Sequence, residues 1–386
     1  MTLRYRNLRM VRLVLAVLSI SAITLRPARA ADENPPPAAD AAPVFKRTFI
    51  IHGYLTQAYA RTTGGEIWGA TKEGTTDYGR AALQLRFEMS PKDTALIQLR
   101  HVALGASPTA QYKPDVEVNW AYFEHRFSDA LRIRVGRAPL PYAFDNDLHS
   151  VGVVLPFYRL PISVYPPDTF NHETLDGANL TYDRNLVGDW GTSVDLYAGD
   201  VSEATELFPP LPLTHVKHRD LRGGRVLIHP TDDSLQFYFS QMQYVSLNSA
   251  LTGFAPADAT IRSEGARGRF GKFDVQAEHT LWAVRGDKGS WFAHSRYVQV
   301  GYAFTDKWSA HVLMERLRFH FPGAHENGDE YDGTSASISY RCSPNVVLKL
   351  ERTHYKGFIT DVPVRNIFTD RPYATNFAIA SVSVAF

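Results

Sequence analysis

Apolar and polar residues alternate with a period of two along most of the chain. In the segment AALQLRFEMS, Leu83, Leu85 and Phe87 are apolar, and the residues between them are polar or charged. Successive side chains of a β-strand point to opposite faces, so this segment predicts a strand with one aliphatic and one charged face. The last ten residues, FAIASVSVAF, repeat the alternation and end on the aromatic Phe386. No sustained helical period interrupts it, and the pattern predicts an all-β chain.

The connections between the alternating segments follow a rule of their own. Short turn signals occur at residues 90–93, 128–129, 185–189, 230–233, 271–272, 305–307 and 343–345. Connections that are mostly longer and richer in Gly, Pro and charge lie between them, near residues 61–74, 105–114, 141–173, 201–218, 248–258, 286–290, 320–331 and 357–372. Short and long connections therefore alternate, and together they join sixteen antiparallel strands.

A transmembrane β-barrel explains this alternation. Bacterial barrels have an even number of strands, short periplasmic turns, long outer loops, and apolar residues on the lipid side. The sequence therefore predicts a 16-stranded antiparallel transmembrane β-barrel over residues 45–386. Its last strand must close on its first, near residues 45–60, because an open sheet edge cannot lie in hydrocarbon. Phe386 is then the residue that completes the closure.

Aromatic residues give independent support for a barrel. Nine of them lie close to the short turns: Phe87, Phe127, Trp190, Phe237, Phe270, Phe273, Phe304, Trp308 and Tyr340. Phe386 falls at the same level, which predicts an aromatic girdle at one membrane interface. Residues 124–126 and 315–318 depart from the pattern because they carry charge on both faces. We expect a bulge or a neighbouring subunit at these two places.

The N-terminal residues predict export. Residues 1–12 carry four arginines and no acid, residues 13–25 are almost wholly apolar, and Ala28-Arg29-Ala30 offers small residues at a cleavage point. These features are typical of a secretory signal peptide over residues 1–30, cleaved from the mature protein. Residues 31–44 form a leader rich in Pro and Ala. With the barrel that follows, they predict an outer-membrane location.

Charge and cysteine content exclude some classes of function. The chain has 41 Lys and Arg against 40 Asp and Glu, and removal of the six arginines of residues 1–30 leaves 35 bases and a net charge of −5. No basic block remains for binding nucleic acid. Cys342 is the single cysteine, so no intramolecular disulfide forms, and we expect a small buried thiol.

One part of the chain resembles a known family. The segment RIRVGRAPLPYAFDNDLHS, followed by LPISVYPPDTFNHETLDGANLTYD, is similar to the strand, long third loop and returning strand of Gram-negative porins. The resemblance is to the broad group that includes the phosphate-selective porins. It implies a third loop folded into the barrel and a homotrimer. The aromatic C-terminus resembles the signal read by the outer-membrane assembly machinery.

The third connection, residues 141–173 and here called loop three, is the longest. Its apolar segment VGVVLPFYRLPISVY suits packing against the inner barrel wall, which would leave Asp145, Asp147, His149 and Arg159 near the open pore. By strand parity Arg80, Arg100 and Arg134 lie on the lumen-facing wall. Opposed charges across water would form a pore constriction with a transverse field. The alternative is that each arginine pairs with a neighbouring wall acid such as Glu117.

The predicted function is that of a porin, a water-filled channel for passive diffusion of small hydrophilic solutes or ions. Loop three offers a single base, Arg159, which argues against a pathway specific for phosphate. The alternatives are a lipid hydrolase embedded in the barrel wall and a closed barrel used for structure or adhesion. We expect no cofactor and no metal site, since neither residues 145–147 nor His215 with His218 form a full ligand set. The expected partners are outer-membrane lipids and lipopolysaccharide.

Overall fold

Sixteen antiparallel strands close into one barrel in the computed structural model of the chain. The structure describes residues 45–64, 67–107, 116–149, 151–165, 173–206, 214–249, 253–287, 289–320, 329–357 and 373–386. Each strand pairs with its two neighbours in sequence, and β1 pairs with β16, which confirms the predicted fold class and strand number. The predicted signal peptide and leader, residues 1–44, lie outside the described residues.

The strands are 9 to 17 residues long, with the shortest at β5 and the longest at β7 and β8. Their bounds are β1 Thr48–Thr62, β2 Tyr78–Glu88, β3 Asp93–Leu104, β4 Glu117–Arg126, β5 Leu131–Pro139, β6 Thr174–Asn185, β7 Trp190–Glu206, β8 Thr214–Pro230, β9 Leu235–Leu247, β10 Ala257–Phe270, β11 Phe273–Gly286, β12 Gly289–Ala303, β13 Trp308–His320, β14 Asp329–Ser343, β15 Val346–Gly357 and β16 Tyr373–Ala385. Within the described ranges, no helix has the length and apolar character needed to cross a membrane.

The seven predicted short turns all fall between strands, at one end of the barrel, which we call the short-turn end. Two of the connections at the opposite, long-loop end are shorter than predicted. Strands β7 and β8 run into the predicted loop 201–218 and leave only residues 207–213 between them. Strands β11 and β12 are joined through residues 287–288 alone. Polar residues in these strands hid their β-structure from the sequence pattern.

The two faces of the wall differ as the alternation predicts. On β12, Trp291 and Ala293 are buried on the inner face, whereas Phe292, Val298 and Val300 are exposed on the outer face. Most of the predicted girdle residues are exposed near the short turns, for example Phe270 and Trp308, which confirms the girdle. The outer face is therefore apolar near the short turns, as a wall in contact with lipid requires.

Of the two places that broke the pattern, residues 124–126 pair with both neighbouring strands without a register shift, so no bulge lies there. At residues 315–318, Glu315 is buried on the inner face, Arg318 is exposed, and the register of β13 against β14 shifts between Leu317 and Arg318. This shift confirms the expected bulge. Cys342 is exposed, so the expectation of a buried thiol is wrong. It lies where the register of β14 against β15 shifts, between Arg341 and Ser343.

The barrel closes at a seam between β1 and β16. Tyr54 lies opposite Ala385, and the backbone N–H groups of Gly53 and Phe386 each donate to the other's carbonyl, at 2.8 and 2.9 Å. The Phe386 ring covers Gly53, because a Cβ built on Gly53 would lie 2.0 Å from the Phe386 Cζ. The last residue of the chain thus completes the sheet, as predicted, and it needs a glycine beneath its ring.

We expect Gly53→Val to weaken this seam. The new side chain displaces the Phe386 ring, and overpacking of this kind costs about 1 to 3 kcal/mol. The measurement is the temperature at which the folded band is lost on unboiled gels. In the Phe386→Ala background the same substitution should cost much less, because no ring remains to be displaced. Equal losses in both backgrounds would show that the ring and the glycine are not coupled.

Candidate functional site

Loop three lies inside the barrel and packs against its wall. It joins β5 to β6 as residues 140–173, of which 140–149, 151–165 and 173 are described. Most of its larger apolar side chains are buried: Leu140, Tyr142, Phe144, Leu155, Phe157, Tyr158, Leu160, Ile162, Val164 and Tyr165. A loop has polar backbone groups that also need partners when water is excluded. Wall side chains supply many of these partners, and their positions determine the path of the loop.

The first anchor of loop three is Glu278 on β11. Its carboxylate accepts hydrogen bonds from the hydroxyls of Tyr165 (2.7 Å), Tyr238 (2.5 Å) and Tyr297, and a long one from the backbone N–H of Phe144 (3.4 Å). Glu278 is buried, and a buried carboxylate needs several donors to offset its lost hydration. One wall residue therefore fixes both the beginning and the end of the inserted segment.

Two phenols of loop three act as permanent donors. Tyr165 donates to Glu278, and Tyr142 donates to the carbonyl of Val164 at 3.1 Å. Burial raises the pKa of Tyr142 and of Tyr165 above the ordinary value, since the phenolate form loses its hydration. Both hydroxyls consequently keep their protons over the physiological pH range.

The second anchor is Lys349 on β15. This lysine is buried, and its Nζ donates to the carbonyls of Gly152, Leu155 and Phe157 at 2.8, 2.9 and 3.2 Å. An ammonium group has three N–H donors, and each has a partner here. The middle of loop three is therefore wrapped around a single cationic group.

Acidic residues of the neighbouring strands hold the rest of the loop. Glu351 on β15 accepts from the backbone N–H of Tyr158 at 2.6 Å, and Glu315 on β13 accepts from that of Ser163 at 2.9 Å. On β8, Arg225 donates to the carbonyl of Ala143 at 2.6 Å. These anchors belong to β8–β15, so loop three is bound mainly to that side of the barrel.

Loop one, between β1 and β2, adds an aromatic cluster at the long-loop end. Trp68 packs against Tyr331, Tyr355 and Phe377, with ring centroids 5.6 to 5.8 Å apart. Arg159 of loop three lies over the rings of Trp68 and Tyr78, at 5.6 and 5.5 Å from their centroids. Both loops thus fill the barrel beside β14–β16 and β1. A predicted pore residue, Arg159, is held by aromatic rings there.

The structure brings several of the predicted site residues together in pairs. Arg80 donates to the backbone carbonyl of His149 at 2.8 Å, and the His149 ring lies 2.9 Å from the carboxylate of Glu173. Arg100 is buried between Glu117, at 2.6 Å, and Glu173. Arg100 therefore pairs with neighbouring acids of the wall and of loop three and does not face an opposed charge across open water. It has almost no contact with solvent.

The two aspartates of loop three have different partners. Asp145 binds Arg267 on β10 at 2.9 Å and Gln276 on β11 at 2.7 Å. Asp147 is exposed and lies within electrostatic range of Arg225 and Arg134. That Asp147 faces Arg134 across the lumen stays a prediction. Asp145 does not face Arg80, Arg100 or Arg134.

The inner faces of β2–β8 carry a set of arginines that we call the arginine wall, namely Arg86, Arg126, Arg132, Arg134 and Arg225. Each is paired with an acid on the same wall: Arg86 with Glu88, Arg126 and Arg134 with Glu124, Arg132 with Asp183, and Arg225 with Asp195, at 2.6 to 3.2 Å. The side chains of four of them are 28 to 53% exposed, although they lie inside a closed barrel.

Sequence reasoning had not identified Glu124, Asp195 or Arg225 as parts of this wall. Strand parity alone would have placed Glu124 and Arg134 on one face, but the partner of Arg225 depends on the pairing of β7 with β8.

A cavity of about 770 Å³ lies beneath loop three toward the short-turn end, lined in part by Asp145, Arg267 and Gln276. In the described part of the chain, no three His, Cys, Asp or Glu side chains are grouped to hold a metal ion.

No protein-family model matches the sequence, and no curated protein sequence matches it. Solved structures do resemble it. The outer membrane channel DcaP of Acinetobacter baumannii has a TM-score of 0.60 at 8% identity, with 88% of this chain and 97% of that chain covered. An anion-selective porin from Comamonas acidovorans has a TM-score of 0.58 at 10% identity, with 88% and 100% covered.

A trimer form of OmpT, an outer membrane protein of Vibrio cholerae, has a TM-score of 0.56 at 12% identity. The match covers 88% of this chain and 99% of that chain. At such low identity these likenesses concern the fold. The chain therefore has the barrel fold of outer-membrane porins.

We expect Lys349→Met to loosen loop three while the barrel stays closed. Methionine fills a similar volume but leaves three buried carbonyls without their donor, at a cost of about 1 to 3 kcal/mol for each group that stays unsatisfied. The measurement is hydrogen exchange of the backbone amides of residues 151–160, which should become faster. Lys272→Met is the matched control, since Lys272 is exposed at a short turn and donates to one carbonyl, that of Phe304. Unchanged exchange in Lys349→Met would show that apolar packing alone holds the loop.

Proposed function

We propose that the protein is an outer-membrane porin, a water-filled channel for passive diffusion of small hydrophilic solutes or ions. The arginine wall carries the proposal. Four of its five arginine side chains face the inside of a closed barrel and yet remain 28 to 53% exposed. Charged groups keep such exposure only where water reaches them, because removal of an ion from water is strongly unfavourable.

The position of loop three supports a passage beside this wall. Its anchors lie mainly on β8–β15, with a further contact from Arg80 on β2, and the aromatic cluster fills the space near β14–β16 and β1. Much of the inner face of β3–β7 would be left to line the remaining space. The channel would therefore run between loop three and the arginine wall, with Asp147 on one side and Arg134 on the other.

The charges along this passage balance, which argues against a channel specific for phosphate. The five residues of the arginine wall are matched by Glu88, Glu124, Asp183, Asp195 and Asp147. A pathway specific for a dense anion needs cationic groups without acids beside them. We infer weak charge selectivity and a transverse field between Arg134 and Asp147 that orients dipolar solutes.

The membrane setting is part of the proposal. The short turns would face the periplasm and the long loops the outside, after cleavage of a signal peptide over residues 1–30. The exposed apolar outer face suits membrane lipid, and Phe386 at the chain end suits recognition by the assembly machinery. A homotrimer is proposed because a related fold, OmpT of Vibrio cholerae, has been solved in a trimer form.

Planar-bilayer conductance distinguishes the proposal from its alternatives. The purified protein should insert and give discrete conductance steps in salt solution. A closed barrel for adhesion predicts no steps, and a lipid hydrolase predicts a serine that reacts with a fluorophosphonate. Conductance without serine labelling supports the porin, whereas labelling without conductance would reject the porin in favour of the lipid hydrolase.

We expect Arg134→Gln to shift the reversal potential in a KCl gradient toward cations, because Glu124 and Asp147 then face the passage with less positive charge. Asp147→Asn should shift it toward anions. Both shifts should shrink in concentrated salt, where the Debye length falls to about 3 Å at 1 M.

Arg100→Gln is the matched control for these variants. Arg100 is buried, so its loss should leave selectivity nearly unchanged and lower the stability of the barrel by about 3 kcal/mol or more, since Glu117 and Glu173 lose their cation. Selectivity that follows Arg100 and ignores Arg134 would place the passage on the other side of loop three.

A further inference from the structure

The cavity of about 770 Å³ beneath loop three has an apolar side. Loop three contributes Val153, Val154, Leu155 and Pro156 to its lining. Val154 is 57% exposed, whereas its neighbour Leu155 is buried. An apolar side chain that faces open space inside a barrel gains free energy when another apolar surface covers it. The cavity therefore favours a guest with an apolar face.

The strands contribute uncharged hydrogen-bonding groups to the same cavity. Gln299 on β12, Ser309 and His311 on β13, and Ser339 on β14 all belong to its lining. Ser309 lies directly opposite Ser339 in the pairing of β13 with β14. Amide and hydroxyl groups both donate and accept hydrogen bonds. The wall thus suits a guest whose own groups also do both.

Two of these wall groups have no hydrogen-bond partner in the described part of the chain. They are the Oγ atom of Ser339 and the Nδ1 atom of His311, and both atoms are buried. Ser339 as a whole is 8% exposed. A buried polar atom without a partner is unfavourable, and most such atoms in proteins are paired. A polar guest in the cavity would supply the missing partners.

An acid and a glycine position His311. Its Nε2 atom lies 3.6 Å from the carboxylate of Asp274 on β11. Gly301 on β12 lies between the two, because a Cβ built there would be 2.2 Å from Asp274 Oδ1 and 2.4 Å from His311 Cδ2. The nearby carboxylate favours the neutral tautomer with its proton on Nε2, which leaves Nδ1 as an acceptor. The group that binds at Nδ1 is therefore a donor, such as a hydroxyl.

The charged residues of the cavity do not converge on an ionic guest. Arg267 pairs with Asp145 at 2.9 Å, and Arg269 lies directly opposite Asp274. Arg269 on β10 and Arg341 on β14 are both exposed and are four strand spacings apart. Four spacings amount to about 19 Å along the wall, so these two guanidinium groups cannot hold one small anion between them.

We propose that this cavity binds a neutral, hydroxyl-rich solute of about the size of a disaccharide. Its hydroxyls would pair with Gln299, His311 and Ser339, and the C–H face of a sugar ring would cover Val154. The volume of about 770 Å³ lies within the range of small-molecule sites. No member of the arginine wall is among the described residues that line it. The inference rests on the proposed function, since a solute must first reach the lumen.

The test is saturation-transfer NMR of the full barrel with sucrose as the probe, in a detergent without sugar headgroups. Sucrose should bind, and Gln299→Leu with Ser339→Ala should weaken its binding about tenfold, since each neutral hydrogen bond contributes roughly a factor of three. Gln84→Leu with Ser193→Ala is the matched control. It removes the same two side-chain types from β2 and β7, where they bond to Gln98 and Asp183, and it should bind sucrose as the unchanged protein does.

Heat-modifiability on unboiled gels establishes that both double variants are folded. No binding of sucrose, or equal binding in the two double variants, would overturn the proposal. Weaker binding in the control alone would also overturn it and would place the sucrose beside the arginine wall. Stronger binding of citrate than of sucrose at this cavity would replace the neutral solute with an anion. Conductance without sucrose binding rejects this site and leaves the porin, whereas sucrose binding without conductance rejects the porin and leaves the site.

Discussion

The requirement that every backbone hydrogen bond be satisfied within the sheet governs this structure. A strand edge that faces hydrocarbon has no water to bind, so β16 must pair with β1. Closure places Phe386 over Gly53 and encloses an interior where polar groups are again hard to satisfy. The charged residues on the inner face of the wall supply hydrogen-bond partners for these polar groups.

Loop three shows how buried charge can organise irregular backbone. Lys349 and the carboxylates of Glu278, Glu315 and Glu351 supply donors and acceptors to backbone groups of a segment that has no sheet partner. Each of these wall residues would be costly to bury alone, and the loop backbone offsets part of that cost. Wall and loop therefore stabilise one another.

Local patterns predicted the fold better than they predicted the site. Alternation and turn chemistry gave the strand number, the seven short turns and the closing role of Phe386, because each depends on neighbouring residues. The partners of Arg100 and Asp145 depend on contacts between distant segments, such as Asp145 with Arg267. A local sequence pattern does not show which residues of two distant segments will be in contact. The predicted bounds of β7 and β8 are too short for a related reason, because the polar residues at their ends are typical of loops.

The placement of the anchors also has a consequence for the order of assembly. Loop three follows β5, but Glu315, Lys349 and Glu351 belong to β13 and β15, which are among the last strands of the chain. The loop cannot settle until those strands have joined the sheet. The anchoring of loop three is therefore completed late in the folding of the barrel.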